Sequence, residues 1–355
     1  MTKRSKFTYI LSALGLLLTA AVYFLFTPVV SEPKGAIYYA RQGISKTTLV
    51  AELKQQGIIQ HNIIFLLYAY AHPGAQLKAG EYAFPKGSSL FSIWRQVTTG
   101  TGFAIHLFTI IPGKSFAQVR QLLDQNPLVR HLITGLTNQQ IMERLGHPEL
   151  APEGEFFPET YYYTRDSADL VLLKRAFDLM QKKLDETWQQ RAANLPYKNS
   201  YEALIAASLI EKEAYLNTER PLIASVLINR LQKGMMLQFD PTVIYGIGDR
   251  YNGKIYKVDL KDNNAYNTYM HTGLPPTPIA MPGLASINAA VHPEQTDYLY
   301  FVAKGDGSHQ FSKTLIEHNA AVEMAHQNKQ VTYFNESLVR HYLNIALVRM
   351  VHIAV

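Results

Sequence analysis

Tyr201-Glu202-Ala203-Leu204-Ile205-Ala206-Ala207-Ser208-Leu209-Ile210-Glu211-Lys212-Glu213-Ala214-Tyr215-Leu216 reads as one mostly apolar helix that ends in charge, with Ser200 as its cap. At 100° per residue, Glu213 projects between Leu209 and Ile210 and near Leu216. Glu211 projects beside Leu204, Ala207 and Tyr215, and Lys212 points elsewhere. A carboxylate held against apolar neighbours loses solvation, so its pKa rises and it can hold a proton near neutrality. The pattern favours Glu213 as the more desolvated of the two without settling the choice. A proton-holding carboxylic acid is what cleavage of a glycosidic bond needs. A solvated Glu-Lys-Glu on the polar edge of a helix is the other reading open at this point.

The chain around this helix has 355 residues, enough for two or more domains with real cores. An apolar content of 47% argues against disorder. The net charge of +6 suits an anionic polymer or a membrane surface. Its basic residues are scattered without a long Lys/Arg run, which argues against a nucleic-acid binder. The chain has no cysteine, which excludes thiolate metal sites and disulfides and permits an oxidising compartment.

Lys3, Arg4 and Lys6 precede an uncharged run from Phe7 to Val30 that is rich in Leu, Ala, Val and Phe. About 20 such residues cross a bilayer as a helix. A secretory signal has a shorter apolar region, roughly 7–15 residues, followed by a small-x-small cleavage site. Here Tyr23, Phe24 and Phe26 continue the run without one, which favours an uncleaved anchor. The basic residues are expected to stay in the cytoplasm, sending everything after Ser31 across the membrane. The expected plan begins with a cytoplasmic tail (1–6) and a transmembrane anchor (7–30).

Ser31-Glu32-Pro33-Lys34-Gly35 reads as a short linker. Strands are predicted at 36–40 and 77–84, with helices at 47–56, capped by Ser45, and at 62–71. Ser88 or Ser89 caps a further helix through Thr98, so 36–102 reads as a small α+β module. A strand at 103–111 and a helix at 115–123 follow. A long helix starts at Asp166 or Ser167, with an apolar stripe from Leu170 to Trp188, and another runs from Asn217 or Thr218 to Gly234. The stretch beyond Gly234 is expected to be loop-dominated. A hairpin, 298–303 with 309–312 around Lys304-Gly305-Asp306-Gly307, and a last helix at 312–327 close the series. The fold class is therefore α+β, with a larger mixed α/β domain (103–335) carrying the glutamate helix. An apolar tail (336–355) has no assigned role.

The aromatic cluster Gly154–Tyr163 suits either sugar platforms or core packing. The loops after Gly234 mix amide, hydroxyl and phenol groups that can hydrogen-bond a sugar. Gln238, Asp240, Asn252, Asn267 and Tyr269 are the candidate sugar-positioning residues. His292, His309 and His318 lack surrounding carboxylates, so no metal is expected.

In order along the chain stand Leu209-Ile210-Glu211-Lys212-Glu213, Ile228-Asn229-Arg230-Leu231, Leu237-Gln238-Phe239-Asp240-Pro241-Thr242-Val243-Ile244-Tyr245-Gly246, Tyr266-Asn267-Thr268-Tyr269, Gly273-Leu274-Pro275-Pro276, His292-Pro293, Tyr298-Leu299-Tyr300-Phe301-Val302 and Glu317-His318-Asn319. Together they resemble the YceG-like family of endolytic murein transglycosylases. Leu77-Lys78-Ala79-Gly80-Glu81-Tyr82 resembles that family's LysM-like subdomain. The resemblance runs from the anchor to about Val322. It implies a periplasmic enzyme, held in the inner membrane, that cuts peptidoglycan glycan strands internally and leaves 1,6-anhydro-N-acetylmuramic ends. It further implies that Glu213 is the catalytic acid/base; one carboxylate can serve both proton transfers, so no cofactor is expected, and a membrane tether would place the site within reach of peptidoglycan synthases. Many members have Thr or Ser directly after this glutamate, where this chain has Ala214. Two rivals remain: a hydrolase in which Asp240 faces Glu213 and activates water, and a peptidoglycan-binding scaffold.

Overall fold

In the computed structural model, residues 3–325 and 327 are described. The apolar tail 336–355 and the last residues of the expected 103–335 domain lie outside the described residues. Helix α1 (Lys3–Phe26) opens the chain, and its segment Phe7–Phe26 is long and apolar enough to cross a membrane. The helix stops short of Val30 because Pro28 lacks the amide hydrogen that a further turn would need. Residues 29–30 are instead stitched to 87–88. The Val29 and Val30 amides donate to the Ser88 carbonyl (2.8 and 3.2 Å), and the Gly87 amide donates to the Val30 carbonyl (2.9 Å).

The first compact unit comprises residues 1–108, 126–132 and 161–169. In it β1 (Ala36–Ala40) is followed by α2 (Lys46–Gln55), α3 (Asn62–Tyr70), β2 (Gly80–Phe84) and α4 (Leu90–Thr99). Strands β1 and β2 pair antiparallel, Ala36 opposite Phe84 and Ala40 opposite Gly80. Ser45 accepts from the Thr48 amide, and Ser89 forms a capping box with Ser92, so α2 and α4 start at the residues whose chemistry favours it. Leu49, Leu53, Phe65, Tyr82 and Trp94 fill the core beneath the sheet. The strand expected from Leu77 begins only at Gly80, because the Lys78 amide donates to the Val97 carbonyl of α4 (2.8 Å) instead of to a strand. Farther on, β3 (His106–Thr109) pairs with β4 (Thr160–Tyr163). Within the aromatic cluster Phe156, Phe157, Tyr161 and Tyr163 are buried as core, and Tyr162 faces out.

The second unit takes residues 109–125, 133–160 and the chain from 170 onward. It carries α5 (Phe116–Asp124), α6 (Asn138–Leu145), α7 (Asp169–Gln189), α8 (Ser200–Glu213), α9 (Arg220–Gln232), α10 (Asp240–Ile247) and α11 (Leu284–Val291). The hairpin β5 (Tyr300–Ala303) and β6 (His309–Ser312) follows, and residues 315–325 are helical. Every side chain from Ala203 to Ile210 is buried, so α8 is the central helix of this unit, packed against α9, α10 and α11. Its cap is Asn199, one residue before the expected Ser200. The Asn199 side chain accepts from the Glu202 amide at 3.0 Å.

The stretch after Gly234 is less loop-like than its composition suggests, since it holds α10 and α11. Pro241 stands in the first turn of α10, where its missing amide hydrogen leaves nothing unpaired. Helix α11 spans only eight residues, too few for its periodicity to stand out among the flanking Gly and Pro residues. Its N-cap, Gly283, has no side chain to offer, and α8 supplies the acceptor.

Candidate active site

That acceptor is Glu211. Its carboxylate takes the Gly283 amide (2.9 Å), the Ser286 hydroxyl (2.8 Å) and the Arg220 Nη2 (3.0 Å). The side chain is 6% exposed and Arg220 is buried beside it. A carboxylate suits the positive end of α11, and the ion pair fixes α9 against the last turn of α8. Arg220 also donates through Nη1 to the Ala214 carbonyl at 3.3 Å. Glu211 is thus tied to α9 and α11 by three donors.

Glu213, two residues on, is the opposite case. It makes no hydrogen bond or ion pair among the described residues. Its carboxyl lines a cleft of about 540 Å³, together with Arg230, Gln238, Asp240, Tyr269 and the β5 residues Phe301–Ala303. Burial pushes its pKa up to about 7, and the Asp240 carboxylate adds to the rise. The group is an acid that can both give and take a proton near neutrality.

The cleft is assembled from the ends of several elements. Asp240 is the first residue of α10, and it accepts a hydrogen bond from the Tyr269 hydroxyl at 2.5 Å. Burial first, then Asp240, holds the Tyr269 phenol above its usual range. Gln238 lies in the left-handed region (φ +56°), a conformation that costs a non-glycine residue about 1–3 kcal/mol and tends to collect at functional sites. Its amide donates to the Thr268 carbonyl at 3.0 Å.

Arg230, from α9, holds this loop in place. Its Nη1 donates to the carbonyls of Leu237 (2.7 Å) and Met236 (3.2 Å) and to Gln238 Oε1 (3.3 Å), and its Nε donates to the Leu299 carbonyl (2.6 Å). The guanidinium lies 5.1 Å from the Tyr300 ring centre. No carboxylate pairs with it among the described residues, and burial lowers its pKa.

Three of the five sugar-positioning candidates, Gln238, Asp240 and Tyr269, therefore meet Glu213 in the cleft. Asn252 and Asn267 are not among its lining residues. Asn267 is fully buried, and its Nδ2 donates to the carbonyls of Asp259 (3.3 Å), Leu260 (3.2 Å) and Asp262 (2.7 Å). Its Oδ1 accepts the Tyr269 amide at 3.0 Å, so it braces the turn that carries Tyr269. Asn252 is exposed, with Nδ2 3.5 Å from the Tyr256 hydroxyl.

Two polar residues of the cleft, Arg230 and His318, were not among the sugar-positioning candidates. Arg230 carries a signal after all, since it follows Ile223 and Leu227 on a helix face that is otherwise core. His318 lies on the helix at 315–325 with its ring stacked on Tyr300, 5.2 Å between centres, and burial lowers its pKa. His309 instead binds Glu219 through Nδ1 (2.7 Å), and His292 is exposed at the end of α11. Among the described residues no three His, Asp or Glu side chains are grouped to hold a metal ion.

The cleft thus holds two carboxyl groups, Glu213 without a hydrogen-bond partner and Asp240 bonded to Tyr269, while Glu211 is turned away into its ion pair. The model of the YceG-like family matches residues 39–324, and the chain belongs to that family. It is 35% identical over 304 residues to the endolytic murein transglycosylase of Bacillus subtilis (strain 168), an alignment covering 79% of this chain and 82% of that protein. The endolytic murein transglycosylase of Streptococcus pneumoniae serotype 2 is 27% identical over 303 residues, which cover 75% of this chain and 54% of that longer protein. The crystal structure of a yceG-like protein from Listeria monocytogenes matches with a TM-score of 0.51 at 28% identity, covering 81% of this chain and 99% of that one.

Proposed function

We propose that this chain is an endolytic peptidoglycan lytic transglycosylase with Glu213 as its acid-base group. The observation that carries the reading is the contrast on one helical turn: Glu211 accepts three donors, whereas Glu213 faces the cleft unpaired with its pKa pushed up to about 7. The relatives named endolytic murein transglycosylase support the same reaction.

Protonated Glu213 donates to the oxygen that links N-acetylmuramic acid to N-acetylglucosamine, and the bond from that oxygen to muramyl C1 breaks. The substrate's own 2-acetamido group supports the positive charge at C1, as in substrate-assisted glycosidases. The Glu213 carboxylate then takes the proton of the muramyl C6 hydroxyl as its oxygen bonds to C1. The ring closes as a 1,6-anhydro sugar, no water is consumed, and Glu213 ends protonated for the next turn. Holding the C6 hydroxyl beside C1 supplies the proximity advantage. Gln238, Asp240 and Tyr269 are the proposed sugar-positioning residues, with Asn267 acting through the Tyr269 turn.

In the same reading α1 is a single-pass anchor with a cytoplasmic N-terminus, and the rest of the chain is periplasmic. Residues 36–102 are a LysM-like glycan-binding subdomain, supported by the β1-α2-α3-β2 order. Residues from 103 to about 335 form the catalytic domain, which works within reach of peptidoglycan synthases. Digestion of intact sacculi followed by mass spectrometry tests the activity. Fragments lighter by one water than hydrolytic products are expected, and Glu213→Gln should abolish them. Reducing ends would make the enzyme a hydrolase, and binding without turnover would make it a scaffold.

A further inference from the structure

Helix α3, Asn62–Tyr70, contains no charged residue. Phe65 and Ala69 point into the core of the first unit. The opposite stripe, at steps of four and three residues, is Ile63, Leu67 and Tyr70, which are 69%, 67% and 58% exposed. A nine-residue helix is far too short to span a bilayer, and apolar side chains on every face are out of keeping with a helix that has one side in water.

The surroundings of α3 say what covers that stripe. Helix α1 packs against both α3 and α4. The Phe24 ring meets the ring of His61, the N-cap of α3, at 4.9 Å, and Phe26 meets Phe91 of α4 at 4.8 Å. Leu25 is buried in the same core as Phe65. These contacts fall on the last three residues of the apolar span Phe7–Phe26. The chain leaves the helix without slack, because residues 29–30 are hydrogen-bonded to 87–88. If Phe7–Phe26 crosses a membrane, Phe24–Phe26 stand at the edge of its hydrocarbon, and the start of α3 is one ring contact away.

We propose that the Ile63-Leu67-Tyr70 face of α3 lies in the headgroup region of the bilayer that α1 crosses, seating the first unit on the membrane surface. The inference rests on the anchor reading above and deepens it: the anchor is not a flexible tether, and α3 is its second, interfacial contact. Tyr70 brings the apolar body and polar tip that suit that depth. Lys46 closes the far end of the helix, with Nζ donating to the carbonyls of Ala69 (3.1 Å) and His72 (2.6 Å).

The absence of native cysteine allows single labels on the full chain. Leu67→Cys, Leu17→Cys and Gln42→Cys variants would each carry an environment-sensitive fluorophore in phosphatidylcholine–phosphatidylglycerol vesicles. Gln42 is exposed just past the end of β1, which carries the chain about 13 Å from its start. All three positions are exposed, so the labels leave the core intact. The label at position 67 should shift to the blue and be quenched by lipids whose nitroxide sits about 5–10 Å below the headgroups. The label at 17 should be quenched best by deeper nitroxides, and that at 42 by neither. If position 67 behaves like position 42 while 17 is quenched, the interfacial contact is refuted and the anchor stands. If 17 is unquenched too, the anchor reading falls, and this inference with it.

Discussion

The last turn of α8 has two sides, and they show how one sequence motif supports two kinds of carboxylate. On one side Glu211 is enclosed with a buried arginine, a helix N-terminus and a hydroxyl. On the other Glu213 faces an open cleft with a second carboxylate, Asp240, for company. Both side chains leave bulk water. Burial alone does not set the role of a carboxyl: donors compensate for lost solvation, and where they are missing desolvation raises the pKa. The difference lies in the partners, which come from Arg220, Gly283 and Ser286, up to 75 residues away in sequence.

The sharpest way to break the comparison is to neutralise each glutamate in turn. Glu213→Gln should lower the rate of anhydro-sugar formation by at least about 10²–10⁴-fold, the usual worth of general acid-base catalysis, with the circular dichroism spectrum unchanged. Near-normal turnover would remove Glu213 from the reaction. Glu211→Gln should act through the fold. It leaves Arg220 buried without its counter-charge, a loss of about 3–5 kcal/mol, read as a large drop in Tm. An unchanged Tm would mean that the ion pair is not the link among α8, α9 and α11 that its geometry indicates.

Glu213→Gln should also change how stability depends on pH. Glu213 is raised from 4.5 to about 7 in the folded protein, so between those values the native state holds a proton that the unfolded chain has released. Stability contributed by this group is full below about 4.5 and is lost as the pH rises through about 7. Glu213→Gln removes that loss, so the variant should be more stable than the parent at pH 8, by up to about 3 kcal/mol, with the gap closing by pH 4. Glu153 and Glu155 are likewise pushed up to about 7 by burial, so parent and variant share that background and only their difference is diagnostic. A constant gap across the range would show that Glu213 is not proton-holding.

Much of this was legible in the sequence because it is local. The apolar run that starts at Phe7, the serines that cap α2 and α4, and the Lys304–Gly307 hairpin each depend on neighbours within a few residues. What was hidden is long-range. Nothing near Glu211 in the chain announces Arg220 as its partner, and nothing near Asn267 shows that its amide is used up by three loop carbonyls while its sequence neighbour Tyr269 reaches the cleft. Arg230 reads as a stray charge on a core helix until its carbonyl partners at 236, 237 and 299 are seen. Helix α10 was masked by Pro241, which forbids a helix interior and favours a helix start.

The finest test turns on the pair that faces Glu213. Because the Asp240 charge helps to hold the Glu213 pKa up, Asp240→Asn should lower it and move the alkaline limb of the pH–rate profile toward acid. Tyr269→Phe should act with the opposite sign and less strength. Its hydroxyl donates to Asp240 at 2.5 Å and offsets part of that carboxylate's charge. Without it the repulsion felt by Glu213 grows, and the limb moves slightly toward alkali. A net hydrogen bond of this kind is worth about 0.5–1.5 kcal/mol, of which only a fraction reaches Glu213, so the shift should be smaller than that of Asp240→Asn. No shift in either variant would mean that Asp240 and Tyr269 do not tune the acid, and shifts in the same direction would mean that Tyr269 does not act through Asp240. Opposite shifts would mark the pair as part of the acid's electrostatic setting.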